Sequence, residues 1–411
     1  MNFRFLHAAD IHLDSPLRGI ALSASGRAEA FRSASRRAFE NLVAAAIERH
    51  VAFLLLAGDI FDGDWRDFAT GLFFVEQMGK LDRAGIRVFV VDGNHDAATV
   101  IRKRLTSPGN VTVFPSREPR TFTIDSLRVA LHGQSFARPD VMENLALSYP
   151  PPKPGWFNVG LLHTACNGRE GHAPYAPCSL PQLVAHGYDY WALGHVHGRE
   201  ILNEFPHVVF PGNLQGRHVR ETGAKGATLV HVTDGRVANV EHMVLDVARW
   251  ALVAPEVSEA DSTSELMELL QASLGEQLAA ADGRPMAVRV TLSGTTKLHA
   301  ALASDPAGLR AAIEATALAL SDELVLEKIK VATSDPGADA RALRADVLSE
   351  LWQAVTEVGA EAALHEQLTR ELRALRQRLP LSDIDDLPSE NDLTEIVEAA
   401  QALLISRLAQ A

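Results

Sequence analysis

The stretch VAFLLLAGDIFD, residues 51–62, shows how this chain is organised. Its first seven residues form an apolar run of the length of a fully buried strand. Gly58 ends the run, and the carboxylates Asp59 and Asp62 follow it directly. In an open α/β sheet, ligands bind just outside the carboxyl ends of the strands. The stretch therefore predicts a buried strand that delivers acidic side chains to a functional edge.

The same arrangement recurs at four other apolar runs, residues 3–8, 86–91, 158–163 and 189–194. Each run ends in a polar cluster. The polar residues that follow the five runs are Asp10, His12, Asp59, Asp62, Asn94, His95, Asp96, His163, His195 and His197. Because such strand ends meet at one rim, we expect these side chains to converge.

Helical stretches at 27–50 and 68–85 separate the first strands, and two hairpins follow around Asp125 and Asp234. Asp234 is followed by glycine, which is the strongest short hairpin signal. Strand–helix alternation followed by hairpins predicts an α/β (α+β) fold, in which a mixed β-sandwich is flanked by helices.

The pattern changes near residue 246, and three segments are predicted: 1–245, 246–335 and 336–411. The second segment alternates strands and helices and has the size of a small α/β domain. The third segment is helical, with apolar stripes at 364–379 and 393–408. Such a stripe either packs within its own domain or docks a partner helix, and the sequence leaves both interpretations open.

The formal charge of −13 is distributed unevenly. Residues 1–250 contain 26 Lys+Arg and 25 Asp+Glu, whereas residues 251–411 contain 13 and 27. The first part is near neutral in spite of its many clustered carboxylates, so its basic residues are available to a polyanion. The acidic second part is disfavoured as the main nucleic-acid surface.

The composition also indicates the compartment. No apolar run approaches the length of a membrane span, and the first ten residues lack the apolar core of a signal peptide. The two cysteines, Cys166 and Cys178, are too few for a disulfide framework and lack the partners of a zinc site. We expect a cytoplasmic protein with two reduced thiols and no membrane contact.

The residue types at the strand ends point to divalent metal ions. Asp, Asn and His without Cys suit Mn²⁺, Fe²⁺ or Zn²⁺, with Mg²⁺ as a further alternative. Seven or eight ligands exceed what one ion can use, and two ions roughly 3.5–4 Å apart can clamp the attacking and leaving oxygens of a phosphoryl displacement. Asp59, behind a central strand, is the natural bridge. A single D-x-H pair occurs often by chance, whereas the ordered set is specific.

Five stretches carry a resemblance to a known family: HAADIHLDSPLRG (7–19), AGDIFDGDWRD (57–67), VDGNHD (91–96), LGHVHGRE (193–200) and PGNLQGRHVRETGAKG (211–226). In them the chain resembles the calcineurin-like metallophosphoesterases, and within these the DNA-repair exonuclease branch, the SbcD/YhaO-like proteins. The match covers roughly residues 1–245. The resemblance implies a metallophosphoesterase sandwich, with residues 246–335 as a capping domain.

The resemblance also implies roles for matching positions. Two ligand sets share Asp59: Asp10, His12, Asp59 and His197 for one ion, and Asp59, Asn94, His163 and His195 for the other. Mn²⁺ is the ion that the family suggests. His95 would act at the scissile phosphate as a general acid or charge stabiliser, and Asp96 could orient its ring.

One position departs from the family. SbcD-like nucleases often carry a His where this chain has Asp62, and that His is associated with exonuclease action. We expect Asp62 either to hydrogen-bond a neighbouring metal ligand or to cap a helix. Arg199, Arg217 and His218 are candidate phosphate contacts, and surface loop charges are the plainer interpretation.

The function implied by the resemblance is hydrolysis of DNA phosphodiester bonds by a repair nuclease subunit. Its partners would be DNA, an SMC-like coiled-coil ATPase (SbcC/YhaN-like) and a second copy of the chain, paired through helices near 27–50 and 66–83. The helical segment 336–411 would dock the ATPase. Two alternatives stay open: a small-molecule phosphodiesterase or phosphatase, and a scaffold that binds without cutting.

Overall fold

The computed structural model describes residues 1–15, 27–62, 68–98, 108–168, 173–336 and 362–378, together with positions 393, 397 and 400. The chain divides into two compact units. The first unit comprises residues 1–294 and 301–333, and the second comprises residues 295–300 and 334–411. The predicted boundaries at 245 and 335 stay predictions.

The described strands are, in chain order, β1 (Phe3–Ala8), β2 (Phe53–Ala57), β3 (Arg87–Val91), β4 (Val111–Val113), β5 (Arg120–Ile124), β6 (Val129–Gly133), β7 (Phe157–His163), β8 (Tyr190–Gly194), β9 (Glu200–Glu204), β10 (His207–Phe210), β11 (Gly226–Thr233), β12 (Arg236–Val244), β13 (Arg249–Val253), β14 (Met286–Thr295) and β15 (Leu324–Ser334). The described helices are α1 (Arg27–Arg32), α2 (Ala34–Glu48), α3 (Phe68–Arg83), α4 (Asn94–Ala98), α5 (Leu180–Ala185), α6 (Thr263–Ala280), α7 (His299–Ser304), α8 (Pro306–Leu320) and α9 (Ala362–Arg378).

Two six-stranded sheets build the larger part of the first unit. The first sheet has the order β12-β11-β1-β2-β3-β4, and the second has the order β5-β6-β7-β8-β10-β9. Strands β1 to β4 run parallel, as do β6, β7, β8 and β10, while β5, β9, β11 and β12 pair antiparallel. The carboxyl ends of the parallel strands therefore form two rims, and every predicted polar cluster lies on one of them.

The two sheets pack face to face through aromatic and aliphatic side chains. Phe5 stacks on Phe53 with ring centroids 4.9 Å apart, and Tyr190 of the second sheet meets Phe5 edge-on at 5.2 Å. Helices α2 and α3 cover the outer face of the first sheet, and α5 covers part of the outer face of the second. The predicted mixed β-sandwich flanked by helices is confirmed. Strands buried on both sides are continuous apolar runs for this reason.

Both predicted hairpins are present. Strands β5 and β6 are joined by a short 3-10 helix at Asp125–Leu127, and β11 and β12 are joined at Asp234 and Gly235, which both have positive φ. The sequence prediction missed β4, β9 and β10. These strands have three to five residues, and β9 is largely exposed, so no apolar run marks it.

The region that follows contains a three-stranded sheet in the order β13-β14-β15. Its first two strands are parallel, and α6 and α8 pack together beside it. Ser262 caps α6 by accepting a hydrogen bond from the Glu265 N–H, and the helix buries Leu266, Leu270 and Leu274. The strand–helix order predicted for this region is thus present.

The second unit contains α9, which carries the first of the two leucine stripes. Leu364, Leu368 and Leu372 are partly exposed on this helix. Of the second stripe, Leu393 and Val397 are buried and Ala400 is exposed, and the other predicted members, Ile396, Leu404 and Leu408, lie outside the described residues. No helix in the described ranges has the length and apolar character needed to cross a bilayer.

Candidate metal centre

The polar clusters of both sheets meet at one place. Asp10 and Asp59 follow β1 and β2 of the first sheet, and His163 and His195 follow β7 and β8 of the second. The main-chain N–H of Asp10 donates to the Gly58 carbonyl (3.0 Å), and that of His195 donates to the Asp10 carboxylate (3.0 Å). The end of β1 is therefore bonded to the end of β2 and to the end of β8.

The backbone at this rim is strained. Asp10, His12, Asp59 and His195 all have positive φ, at 51°, 45°, 52° and 104°. For residues with a Cβ such conformations cost of order 1–3 kcal/mol each, and they persist only where the surroundings enforce them. Here they turn four side chains into one buried space.

Three overlapping groups of side chains could each hold a metal ion. Within each group, one ligand atom per residue lies within 4.8 Å of the others. The groups are Asp10, His12 and His197; Asp10, Asp59 and His163; and His12, Asp62 and His95. Because the first two groups share Asp10, the site extends continuously across the rim.

Two observations fit a cation in this space. His163 Nδ1 lies 2.9 Å from the Ala57 carbonyl and donates to it, so Nε2 is the ligand nitrogen. That Nε2 faces two oxygens, Asn94 Oδ1 at 3.0 Å and Asp59 Oδ2 at 3.5 Å, and either a proton or a metal ion must lie among these three atoms. Nε2 of His12 is also buried, and it has no hydrogen-bond partner among the residues that the structure describes.

The pKa values of the buried carboxyls agree with this interpretation. Burial and the neighbouring Asp59 raise the pKa of Asp10 to about 7, against the opposing effect of His163. Burial would also raise the pKa of Asp59, but His163, His95 and His12 outweigh it and hold that pKa well below its usual range. Two buried carboxylates that repel each other are the donors a divalent cation stabilises.

The ring of His195 is predicted to be a metal ligand, whereas the observed hydrogen bond of His195 to the cluster is through the main chain. Its main-chain N–H bonds Asp10, while its ring Nε2 lies 2.9 Å from the Ala173 carbonyl. The ring packs edge-on against His163 with centroids 5.2 Å apart. His195 thus lies at the predicted place, and its Nε2 faces a carbonyl from the loop before α5.

The predicted role of Asp96 needs correction. Its carboxylate accepts the main-chain N–H groups of Ile60 and Phe61 (3.0 Å each) and of Gly93 (3.1 Å). The Nδ1 atom of His95 instead faces Asp62, at 3.0 Å. Asp96 lies in the first turn of the short helix α4, where a carboxylate can accept main-chain N–H groups that the helix leaves unbonded. It therefore ties two rim loops together, and Asp62 orients the His95 ring.

Asp62 connects several parts of the site. It lies 3.3 Å from His12 Nδ1, accepts the Ser15 hydroxyl at 2.7 Å, and has the Arg217 guanidinium 3.9 Å away. Burial would lower the pKa of His95, but Asp59 and Asp62 raise it to about 9. His95 is consequently a proton carrier at neutral pH.

One site residue was missed from the sequence. Glu221 lies 2.6 Å from His197 Nδ1 and also accepts from the Asn213 amide (2.8 Å) and the Arg217 main chain (2.7 Å). Burial would raise its pKa, but His197, Arg217 and His218 hold the pKa of Glu221 well below the usual range. The stretch 211–226 drew attention through its family resemblance and its basic residues. Glu221 lies 24 residues from His197 along the chain, so no local spacing marks their contact.

The predicted phosphate contacts separate in the structure. Arg217 and His218 both lie at the rim, since both contact Glu221 and Arg217 also faces Asp62. Among the described residues Arg199 forms no ion pair, and its Nε is buried without a hydrogen-bond partner there. The geometry thus supports Arg217 and His218 more strongly than Arg199.

The glycines of the rim provide space. A Cβ on Gly58 would meet the His163 ring, and a Cβ on Gly93 would meet the Asp59 carboxylate, both at distances that atoms do not adopt. Gly198 differs, because nothing lies within 4 Å of its Cβ position.

The two cysteines, Cys166 and Cys178, are buried and form no disulfide with each other, in agreement with the prediction of two reduced thiols.

Comparison with known proteins identifies the family. The chain matches the family model of calcineurin-like phosphoesterases over residues 3–199 and that of the middle domain of metallophosphoesterase YhaO over residues 250–334. It is 38% identical over 295 residues to the uncharacterized metallophosphoesterase YhaO of Bacillus subtilis (strain 168), covering 71% of this chain and 72% of that protein. The chain belongs to the calcineurin-like metallophosphoesterases.

More distant relatives include proteins named for DNA double-strand break repair. The chain is 26% identical over 288 residues to the DNA double-strand break repair protein Mre11 of Methanopyrus kandleri, covering 64% of this chain and 58% of that protein. Among solved structures, a dimetal phosphatase from Danio rerio aligns at 12% identity over 56% of this chain and 93% of its own, with a TM-score of 0.34. Membership of this family implies divalent metal ions. The side chains that could hold them are those of the buried cluster.

Proposed function

We propose that this metallophosphoesterase hydrolyses DNA phosphodiester bonds with two divalent metal ions, as the nuclease subunit of a repair complex in the cytoplasm. The observation that carries the proposal is the continuous buried set of carboxylate, amide and imidazole ligands across the two sheets. The Mre11 relatives, which are named for DNA double-strand break repair, favour DNA as the substrate.

The proposed ligands divide between two ions. Asp10, His12, Asp59 and His197 would hold one, and Asp59, Asn94, His163 and His195 would hold the other. Mn²⁺ is our choice of ion, because O and N ligands without thiolate suit it. When bound, the ions would supply the positive charge that stabilises the attacking and leaving oxygens.

His95 supplies the proton in the proposed reaction. Water adds to phosphorus and loses a proton to the solvent, the ester bond to the leaving oxygen breaks, and His95 gives that oxygen a proton. A phosphomonoester and an alcohol result, and His95 regains its proton from the solvent. Asp62 holds the ring through Nδ1, so Nε2 carries the transferable proton. A general acid of this kind typically contributes about 10²–10⁴-fold to the rate.

Arg217 and His218 are proposed to bind the phosphate that the metals do not neutralise. Both are partly exposed at the rim. Arginine presents two parallel N–H donors to a phosphate, which fixes its orientation as well as its charge.

The proposed partner is an SMC-like coiled-coil ATPase that docks on the helical segment 336–411. The partly exposed leucines of α9 support a helix-binding role. Mixing the full-length chain with such an ATPase on a sizing column should give one complex. The double variant Leu364→Asp/Leu368→Asp should elute separately, and co-elution of that variant would contradict docking on this stripe. A homodimer through α2 and α3 is part of the same proposal.

The deciding experiment is cleavage of end-labelled single- and double-stranded DNA with Mn²⁺ or Mg²⁺, beside bis-p-nitrophenyl phosphate. We expect metal-dependent cutting of both substrates, abolished by chelation and by Asp59→Asn. Asp189→Asn changes a carboxylate outside the cluster, which bonds the Asn158 N–H, and should retain activity. Cleavage of the small ester alone, even with the ATPase present, would favour a small-molecule phosphodiesterase. Metal binding without any cleavage would favour a scaffold.

A further inference from the structure

The loop from Asn213 to Glu221 lies between the metal cluster and β13. At one end, Glu221 is 94% buried and holds three groups: the His197 ring (2.6 Å), the Asn213 amide (2.8 Å) and the Arg217 N–H (2.7 Å). This carboxylate therefore fixes both the shape of the loop and the orientation of a histidine at the site. Nothing in the catalytic scheme above uses it.

The middle of the same loop is bonded to the start of the following region. The Gln215 amide donates to the Ala248 carbonyl (2.6 Å) and accepts from the Val247 N–H (2.9 Å). The Trp250 indole N–H donates to the Gly216 carbonyl (3.0 Å). Gln215 and Trp250 are both buried, so each bond would leave an unpaired polar group if it broke.

A second connection runs from the main chain of His197. Its carbonyl accepts the Lys225 ammonium (3.1 Å), and the N–H of Lys225 donates to the Asp246 carboxylate (3.0 Å). Asp246 is fully enclosed and paired with Arg249 (3.0 Å) and Arg284 (2.9 Å). Both the ring and the backbone of His197 thus connect, within two or three contacts, to residues 246–250.

We infer that Glu221 is a positioning residue for the ligand His197, and that Trp250 acts through the same loop, so that the region beginning at β13 sets the affinity of the metal centre. The inference rests on the proposed function, since it takes His197 as a ligand. Glu221 accepts from Nδ1, which leaves the Nε2 lone pair directed to the side of Asp10, 3.9 Å away. Carboxylate partners of this kind fix the ring and raise its basicity toward a metal.

The prediction concerns one ion of the two. Glu221→Gln keeps the size of the side chain and removes its charge. It should lower the affinity for the ion held with His197 by about 10- to 100-fold, which is the usual effect of losing such a partner. The affinity for the other ion should change by no more than about twofold. Trp250→Phe removes the indole N–H together with some buried ring volume. It should weaken binding of the same ion by about 2- to 10-fold, as the loss of one net hydrogen bond would.

The readout is binding of Mn²⁺ alone to the full-length chain, followed by the paramagnetic resonance signal of free Mn²⁺, with no substrate present. Trp191→Phe is the matched control: it removes an indole N–H that donates to the Leu183 carbonyl at the same 3.0 Å in an equally buried place. That variant should lose stability in thermal melting but keep both affinities. In the double variant Glu221→Gln/Trp250→Phe, the loss should be smaller than the product of the two single effects, because both act through one loop.

The outcomes separate the inference from the proposed function. A wild-type chain that binds no Mn²⁺ overturns the proposed function itself. Two bound ions whose affinities are unchanged in both single variants overturn the inference and leave the function standing. If Glu221→Gln does not fold, the affinity of Trp250→Phe for Mn²⁺ decides the inference alone. Equal losses of affinity in Trp250→Phe and Trp191→Phe would also overturn the inference. If the effects of the two substitutions multiply in the double variant, Glu221 and Trp250 act independently, and the inferred coupling between His197 and β13 is wrong.

Discussion

The Nδ1 atom of His95 lies 3.0 Å from a carboxylate oxygen of Asp62, and the same oxygen lies 3.3 Å from Nδ1 of His12. One carboxylate thus orients both the proposed proton donor and a proposed metal ligand. The anion beside His95 is therefore the group at this position that sets the electrostatics of the proton donor.

Replacing Asp62 should move the pH dependence of hydrolysis. The acid form of His95 exists below its pKa, which Asp59 and Asp62 together raise to about 9 against the effect of burial. Activity that needs this acid is therefore lost as the pH rises through that value. Asp62→Asn removes one raising interaction, so the alkaline limb of the pH–rate profile should move to lower pH. An unmoved limb would mean that the limb reports another group.

Removing the proton donor should affect substrates unequally. p-Nitrophenolate is a stable anion that leaves without a proton, whereas the alkoxide of a DNA strand is not. His95→Asn should therefore slow DNA cleavage by about 10²–10⁴-fold and slow bis-p-nitrophenyl phosphate hydrolysis much less. Rates on the two substrates with the same enzyme preparation give the comparison. Equal losses would indicate that His95 stabilises charge and donates no proton.

Metal binding should release protons near neutral pH. The pKa of Asp10 is raised to about 7 by burial and by Asp59, so below that pH the carboxyl is protonated, and a bound cation requires the carboxylate. Mn²⁺ affinity should rise as the pH increases through about 7, and calorimetry in buffers of different ionisation enthalpy should detect the released proton. Saturating Mn²⁺ at 100 times its Kd should also stabilise the fold by about 2.7 kcal/mol. In Asp10→Asn the proton release should be smaller, and what remains should come from His163, whose pKa burial lowers but Asp59 and Asp10 together raise to about 9.

Two glycines provide a matched pair of substitutions. A Cβ on Gly93 would lie 2.8 Å from the His163 ring and 2.9 Å from the Asp59 main-chain nitrogen, whereas a Cβ on Gly198 meets nothing within 4 Å. Gly93→Ala should cost about 1–3 kcal/mol of unfolding free energy and displace two proposed ligands, so hydrolysis should fall sharply. Gly198→Ala should leave melting and hydrolysis unchanged. Full activity in Gly93→Ala would show that the rim relaxes freely.

A buried histidine should make the fold sensitive to acid. His7 donates from Nε2 to the Leu193 carbonyl and accepts from the Tyr190 hydroxyl at Nδ1, and burial lowers its pKa to about 3. Since the unfolded chain takes up a proton below about 6.5 and the folded chain does not, the stabilising contribution is present above that pH and lost as the pH falls toward 3. The slope is at most about 1.4 kcal/mol per pH unit.

Denaturant unfolding between pH 7 and pH 5 measures this slope. His7→Gln should flatten it, while His50→Asn changes an exposed histidine and should leave it unaltered. A variant at His7 whose stability falls with pH as steeply as that of the wild type would assign the sensitivity to other groups.

The sequence by itself determined which strands are buried and which residues end them. Runs such as 53–57 and 157–163 are mostly apolar and buried along their whole length because both faces of their strands are covered, and the Asp and His residues at their ends carry the chemistry of the site. The motifs also indicated the metallophosphoesterase family, since their order along the chain is specific. These features are local, and a linear pattern records them.

Only the tertiary structure decided which side chains face each other. Asp62 and not Asp96 orients His95, although Asp96 is its neighbour in sequence, because α4 directs Asp96 toward the N–H groups of Ile60 and Phe61. Glu221 meets His197 across 24 residues because β10 returns the chain to the rim. Contacts of this kind depend on how two sheets and a loop pack in three dimensions, and neither spacing nor composition encodes that packing.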